Sequence, residues 1–411
     1  MKDLASLHAL VEARREEMVE DMMAMSRIPS INPRMNGEGE YQRMQWIENW
    51  LSAHSITCEV IDVPDDAVKE GVRRNLLVKY EGTEDASRTL WIISHVDTVN
   101  TGDLSLWKTN PLEPVRKDGR IYGLGVEDNS QSVIESLHVC QILQDEGIRT
   151  KCNLAFLFAS DEETGSRYGL HALLDRGLFS PDDEAIVPDG GSPDGAFVEI
   201  AEKSQVWLKF TVNGKQAHAS MPHLGVNACS IGMHLGAEIE DRLKEKFGEP
   251  DLLFNPPTST FELTQKFANV DSPNVMPGKD VFVMDLRILP RYTVDEVMAE
   301  IDAVIRKYEN PEKGVTISYE FVTRVDAPPA TPSDAPVVQK LVEAIRESGV
   351  DAYFGGIGGG TCGAILRAKN IPAVVWSTLD DLAHQPNEYV IIDNLVNDTK
   401  VYLTVIEKYC K

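Results

Sequence analysis

Leu90-Trp91-Ile92-Ile93-Ser94 runs directly into His95-Val96-Asp97. An apolar run without polar alternation is the pattern of a strand covered on both faces. Working outward, 57–63 and 75–80 read as strands before it. After it come a helix over 129–146, an apolar strand over 152–160, a helix over 166–177 and a strand over 184–188. This alternation predicts an α/β layer fold around a mostly parallel central sheet. In such sheets, sites gather at the carboxyl ends of the strands. His95, the Asp161-Glu162-Glu163 run and Asp189 all fall there.

The amino-terminal part carries apolar residues at helical spacing over 3–26 (Leu4, Leu7, Val11, Met18, Met22 and Met25 among them). A second helix is expected over 40–54, after the break at Ile28-Pro29-Ser30-Ile31-Asn32-Pro33. Past about residue 200 the pattern changes. Val206-Trp207-Leu208-Lys209-Phe210-Thr211-Val212 alternates like an antiparallel strand. A helix near 224–246, strands near 258–267 and 280–289, a helix near 294–308 and a strand near 315–322 follow. Strand-helix-strand-strand-helix-strand is the order of a ferredoxin-like α+β sandwich. Pro328-Pro329-Ala330-Thr331-Pro332 reads as a linker back to α/β alternation, where 373–376 forms an apolar strand leading to His384. The expected division is therefore a discontinuous first domain, 1–202 with 328–411, and an inserted domain, 203–327.

Bulk properties exclude more than they assign. The chain has 411 residues, 42% of them hydrophobic, which suits two full cores. A net charge of −25 argues against nucleic acid and anionic membrane surfaces as partners. The six cysteines form no Cys-x-x-Cys pair and read as free thiols in a reducing compartment. With no long apolar run or signal-like start, a cytoplasmic protein is expected.

The chemistry sits in short pieces, each with a plainer alternative. His95 can bind a metal while Asp97 fixes its tautomer, or the pair can be a capped turn. Asp128, in Gly123-Leu124-Gly125-Val126-Glu127-Asp128-Asn129, can be a ligand or a helix N-cap. The two glycines do not make a nucleotide loop, because the third is missing and an acid would repel phosphate. Asp161, Glu162 and Glu163 repel one another unless a cation neutralises them, or solvent does so on an exposed loop. Two adjacent glutamates can serve as metal ligand and general base. Asp189 stands at a strand-to-turn corner before Gly190-Gly191, and His384 lies in a turn where a surface histidine is also expected. Two imidazoles with several carboxylates are the donor supply of a two-metal hydrolase.

Taken in order, HVDTV, the acidic GxGxxDN, SDEETGS, PDGG and AHQPNEY resemble the dinuclear zinc metallopeptidase and deacylase family. That family includes acetylornithine deacetylase, succinyl-diaminopimelate desuccinylase, aminoacylase, glutamate carboxypeptidase and several dipeptidases. The likeness spans almost the whole chain and looks greatest to the succinyl-diaminopimelate desuccinylase-like branch. It implies two zinc ions, with cobalt or manganese as possible substitutes. Asp128 would bridge them, His95 and Asp189 would complete one site, and Glu163 and His384 the other. Glu162 would be the general base and acid, with Asp97 orienting His95. His218, in Gly214-Lys215-Gln216-Ala217-His218-Ala219-Ser220, resembles the histidine that stabilises the oxyanion, often across a dimer interface. An ordinary hairpin turn is the alternative there. Asn274 and Arg287 resemble residues that hold a substrate carboxylate, although Arg287 could equally pair with Asp285. Gly360 and Thr361, in a glycine-rich run, resemble the substrate loop.

The resemblance thus implies hydrolysis of an amide bond in a small N-acyl amino acid or short peptide. A homodimer joined through the inserted domain is expected to bring His218 to the metals, with closure of that domain within one chain as the alternative. A dipeptidase of the same family stays open, because Asp rather than Glu at 189 resembles the peptidase members. So does a metal-binding protein that has lost catalysis. A succinyl group would call for one more basic residue, with Lys203, Arg324 and Arg367 the candidates.

Overall fold

The computed structural model describes residues 3–410. It divides into two compact units, one of Met1–Ile200, Thr331–Phe354 and Thr361–Lys411, the other of Ala201–Ala330 with Gly355–Gly360.

The strand Asp85–His95 is the pivot of an eight-stranded sheet. Leu90, Trp91, Ile92 and Ile93 are each no more than 1% exposed, as the unbroken apolar run requires. Each such side chain contributes about 1.5–3 kcal/mol relative to remaining in water. The strand runs parallel to Cys152–Ala159 on one side and to Glu184–Val187 on the other. Register sets His95 opposite Ala159, so His95 and the acidic run after Ala159 leave the sheet at the same end. Ala373–Val375 extends the parallel centre beside Glu184–Val187.

The flanks depart from the mostly parallel expectation. Val72–Tyr80 is antiparallel to Cys152–Ala159, Glu59–Pro64 is antiparallel to Val72–Tyr80, and Ala373–Val375 meets Phe197–Glu202 in antiparallel fashion. The sheet is mixed because the links over 65–71 and 81–84 are short. A parallel crossover needs a dozen residues or more.

Helices cover both faces. Leu170, Leu173, Cys362 and Leu366 pack on Trp91, Ile93, Ala155 and Leu157. The helix Gln131–Asp145 is buried along nearly its whole length, beneath Ile392–Tyr409. The single helix expected over 3–26 is two, Leu4–Ala13 and Arg15–Ser26. The break is at Arg14, whose backbone leaves helical angles and whose guanidinium reaches Asp145 at 2.6 Å.

The cysteines also correct an expectation. Cys152 and Cys410 form a disulfide, while Cys58, Cys140, Cys229 and Cys362 are free. The main chain brings the pair together, with Lys151 N donating to Cys410 O at 3.0 Å. A separation of 258 residues leaves no spacing signal. The bond removes the ground for inferring a reducing compartment. Among the described residues, no helix is long and apolar enough to cross a membrane.

The second unit is a four-stranded antiparallel sheet in the order Thr260–Lys266, Lys279–Ile288, Ser204–Asn213, Thr316–Val325. The middle strand Ser204–Asn213 alternates buried and part-exposed residues, as its sequence pattern demands. Val206, Leu208, Phe210 and Val212 share one core with the helices Ala228–Lys246 and Val294–Tyr308. Thr293 and Glu296 close a reciprocal cap at the start of the second helix. Gly355–Gly360 belongs to this unit. Arg287 Nη1 donates to Gly358 O at 2.7 Å, and Lys203 N to Ile357 O at 3.0 Å.

Candidate metal and catalytic site

Five side chains from separate segments of the first unit converge. His95 Nε2 lies 2.9 Å from Asp128 Oδ1 and 3.2 Å from Asp189 Oδ1. His384 Nε2 lies 2.9 Å from Glu163 Oε2 and 3.3 Å from Asp128 Oδ2. Asp128 therefore turns one oxygen to each imidazole. The N-cap alternative fails, because the side chain of Asp128 faces the imidazoles and no side chain caps the helix Gln131–Asp145.

The backbone around Asp128 is tightly specified. Gly125 has a φ of +69°, and a Cβ there would stand 2.2 Å from Thr98 Cγ2. Only glycine meets both constraints. Asn129 Nδ2 donates to Pro188 O at 2.5 Å and to Asp189 Oδ1 at 3.1 Å, tying this loop to the Asp189 corner.

The acidic run resolves into different roles. Asp161 is fully buried and turned away from the imidazoles. It accepts from Asn32 Nδ2 at 3.1 Å, Thr164 Oγ1 at 2.7 Å and Tyr168 N at 3.1 Å, with Arg73 Nη1 at 3.4 Å. Arg73 in turn grips Glu40 through two bonds, of 2.6 and 2.8 Å. Glu162 and Glu163 are left to face the site. Each falls in a cluster with His95, one with Asp189 and the other with Asp128, whose ligand atoms lie within 4.8 Å of one another.

Asp97 stands beside His95, as expected of an imidazole orienter, and also holds the glutamate turn. Its carboxylate accepts from the N–H groups of Glu162 at 2.9 Å and Glu163 at 3.2 Å, and from Asn32 Nδ2 at 2.8 Å. His95 Nδ1 is 3.1 Å from the main-chain oxygen of Asp97 but 3.7 Å from its carboxylate. Asp97 thus meets the ring through both its main-chain oxygen and its carboxylate, and the carboxylate also holds the glutamate turn. Sequence reasoning missed Asn32, Glu40 and Arg73. The Ile31-Asn32-Pro33 break was the one visible hint, and it read only as a helix stop.

The electrostatics suit divalent cations. Burial pushes Glu162 well above the carboxylate range, and Asp189 adds to the shift. Burial, with Asp128, raises Glu163 to about 7. Burial also opposes the charge of Asp128, but hydrogen bonds from His384 and His95 outweigh it and hold this group low. Four carboxylates around two imidazoles leave an excess of negative charge that cations would neutralise. Glu163 Oε1 is buried without a hydrogen-bond partner, as a vacant ligand atom would be. Nitrogen and oxygen donors of this kind fit zinc and its neighbours. The Cys362 thiol lies 3.8 Å from Glu162 Oε1 but belongs to neither cluster.

A proton-linked consequence follows. Hydrogen bonds to Asp128 and Glu163 raise His384 to about 10, so it is an imidazolium in metal-free protein at neutral pH. A metal ligand must give up that proton. Metal binding is expected to release protons at neutral pH and to tighten as pH rises towards 10. For the metal-free fold the sign is opposite. The raised folded value contributes stability that is complete below the unfolded histidine value and lost as pH rises through about 10. Calorimetric titration with metal in buffers of different ionisation enthalpy checks this, and a buffer-independent heat contradicts it.

The remaining expected residues are locally engaged. His218 is exposed, with Nδ1 2.8 Å from Ser220 Oγ. Asn274 Oδ1 accepts from Ser272 Oγ at 2.6 Å. Arg287 takes the local alternative, with bonds of 2.7 and 3.0 Å to Asp285, while its third contact holds the glycine-rich loop at Gly358. Gly360 lies beside Glu202, and Thr361 caps the helix Cys362–Arg367. Lys203 is bonded to the carbonyls of Pro256 and Thr258, Arg324 to Asp326 and Asp295, and Arg367 to buried Glu199.

Two histidines and four carboxylates gathered on this α/β unit, in part as two candidate metal-holding groups, are the donor set of a metal-dependent hydrolase. Residues 91–408 match the profile of Peptidase family M20/M25/M40, and the chain belongs to that family. It is 38% identical over 410 residues to an uncharacterised metallohydrolase of Methanocaldococcus jannaschii, covering 95% of this chain and 99% of that protein. It is 26% identical over 388 residues to a succinyl-diaminopimelate desuccinylase of Ehrlichia canis, covering 93% and 95%. Among solved structures, the aminopeptidase PepT of Bacillus cereus superposes with a TM-score of 0.74 at 19% identity, over 97% of this chain and 99% of that one. The last likeness is one of fold.

Proposed function

We propose that this protein hydrolyses the amide bond of a small N-acyl amino acid at a dinuclear centre, with zinc as the preferred metal. The observation that supports the reading is the gathering of Glu162 with His95 and Asp189, and of Glu163 with His95 and Asp128, the ligand atoms of each group lying within 4.8 Å of one another. His95, Asp128 and Asp189 would hold one ion, and Asp128, Glu163 and His384 the other. Bound divalent ions supply Lewis acidity for the carbonyl and acidify a water.

The chain's own residues do the rest. Glu162 takes a proton from the attacking water as the C–O bond forms. It returns that proton to the amine nitrogen as the C–N bond breaks, leaving a carboxylic acid and a free amino acid. With Nδ1 of His218 at Ser220, its Nε2 is the nitrogen we assign to the substrate's carbonyl oxygen, as a hydrogen-bond donor.

The acyl group is expected to be uncharged. Lys203, Arg324 and Arg367 are each committed to local acceptors, so none is offered to a second carboxylate. Leaving a bonded cation for a substrate would forfeit those contacts. The test is a panel of N-acetyl and N-succinyl amino acids and dipeptides with zinc-loaded protein, reading free amine. N-acetyl amino acids should give the highest kcat/KM. Preference for dipeptides overturns the deacylase reading, and no turnover on any member favours a non-catalytic metal-binding protein.

A further inference from the structure

Two buried acids beside the site belong to neither ligand cluster. Glu127 and Glu388 are 5% and 1% exposed. Each comes from one ligand-bearing loop and binds the backbone of the other. Glu388, four residues past His384, accepts the N–H of Gly125 at 2.8 Å through Oε2. Its Oε1 accepts Glu127 N at 2.8 Å and Asp128 N at 3.1 Å. Its main-chain oxygen takes Gly123 N at 3.1 Å. In return, Glu127 takes Asp380 N at 2.7 Å and Leu382 N at 2.5 Å, one on each oxygen. The exchange joins the loop of Asp128 to the loop of His384 across 253 to 263 residues of sequence.

We propose that Glu127 and Glu388 are positioning residues that lace these two loops together and so set the spacing of Asp128 and His384 for a pair of metal ions. The inference rests on the dinuclear reading above. A carboxylate is required because each side chain accepts N–H groups at both oxygens. Glutamine has nearly the same shape but only one acceptor oxygen. Its NH2 would face a backbone N–H, and one loop would be pushed off its seat. Neither side chain touches the reacting atoms, so the effect passes through the ligands they hold.

The two straps differ in consequence. His384 faces Glu163 and one oxygen of Asp128, so Glu127→Gln should disturb one metal site. Asp128 turns an oxygen to each imidazole, so Glu388→Gln should disturb both.

Equilibrium dialysis of the full chain against zinc, with metal counted per chain, reads this directly. Wild type should hold two ions. Glu127→Gln should keep one at wild-type affinity and lose about tenfold or more on the second, whereas Glu388→Gln should lose that much on both. Excess zinc should restore the kcat of Glu127→Gln, which it would not do for a fold defect. If Glu388→Gln fails to fold, Glu127→Gln carries the test through its unequal sites. Variants that bind both ions like wild type, or a Glu127→Gln that weakens both equally, overturn the lacing alone. A wild type that holds no pair of ions overturns the dinuclear reading and the lacing with it.

Discussion

Glu162→Gln should retain its metal and its fold and lose turnover by about a thousandfold or more. General acid–base catalysis contributes roughly 10²–10⁴-fold, and here one group is asked to serve in both directions. The substitution changes little else. The N–H of residue 162 still donates to Asp97, so the turn carrying Glu163 keeps its seat. Burial and the Asp189 charge already disfavour the ionised form of Glu162. Because its folded proton affinity is raised, ionisation costs stability at neutral pH, and a neutral amide removes that cost. The metal-free variant should therefore melt no lower than wild type. Three measurements decide the matter together: metal per chain, melting temperature, and kcat on an N-acyl amino acid. Turnover within tenfold of wild type, with both ions bound, would falsify the assignment.

His95, the Asp161-Glu162-Glu163 run and Asp189 were legible as candidates because each stands where an apolar run stops. A strand buried on both faces cannot continue into His95-Val96-Asp97, and the parallel register with Cys152–Ala159 puts the next acidic run beside it. Composition at those corners therefore carried the site. Their supports were not legible. Glu388 and the N–H groups it accepts are some 260 residues apart, and a glutamate in a polar turn looks like a solvated one. Asp161 shows the converse failure. Next to two glutamates it read as part of one acidic cluster, yet Arg73, Asn32 and Thr164 bury and satisfy it. The mixed flanks of the sheet and the Cys152–Cys410 bond escaped for the same reason. Periodicity reports which face a residue shows, and not which distant strand or thiol meets it.

Asp128→Asn should lose activity for the opposite reason from Glu162→Gln, by failing to hold metal. One side chain faces both imidazoles, so no other single substitution reaches both sites so directly. An amide offers one weak oxygen where the carboxylate offers two charged ones, and it presents a donor to the second imidazole. In wild type, ions at a thousandfold above their dissociation constant add about 4 kcal/mol per site to the folded state. That zinc-dependent rise in melting temperature should largely vanish in Asp128→Asn. The metal-free variant should itself be less stable than metal-free wild type. Asp128 is held low in the fold by His384 and His95, against the penalty of burial, and contributes stability above the unfolded carboxylate value that is lost as pH falls through the folded one. At neutral pH that contribution is present, and the substitution removes it. A variant that still takes up two zinc ions and still gains the full thermal shift rules out Asp128 as the shared ligand, because terminal ligands alone would then suffice for both sites.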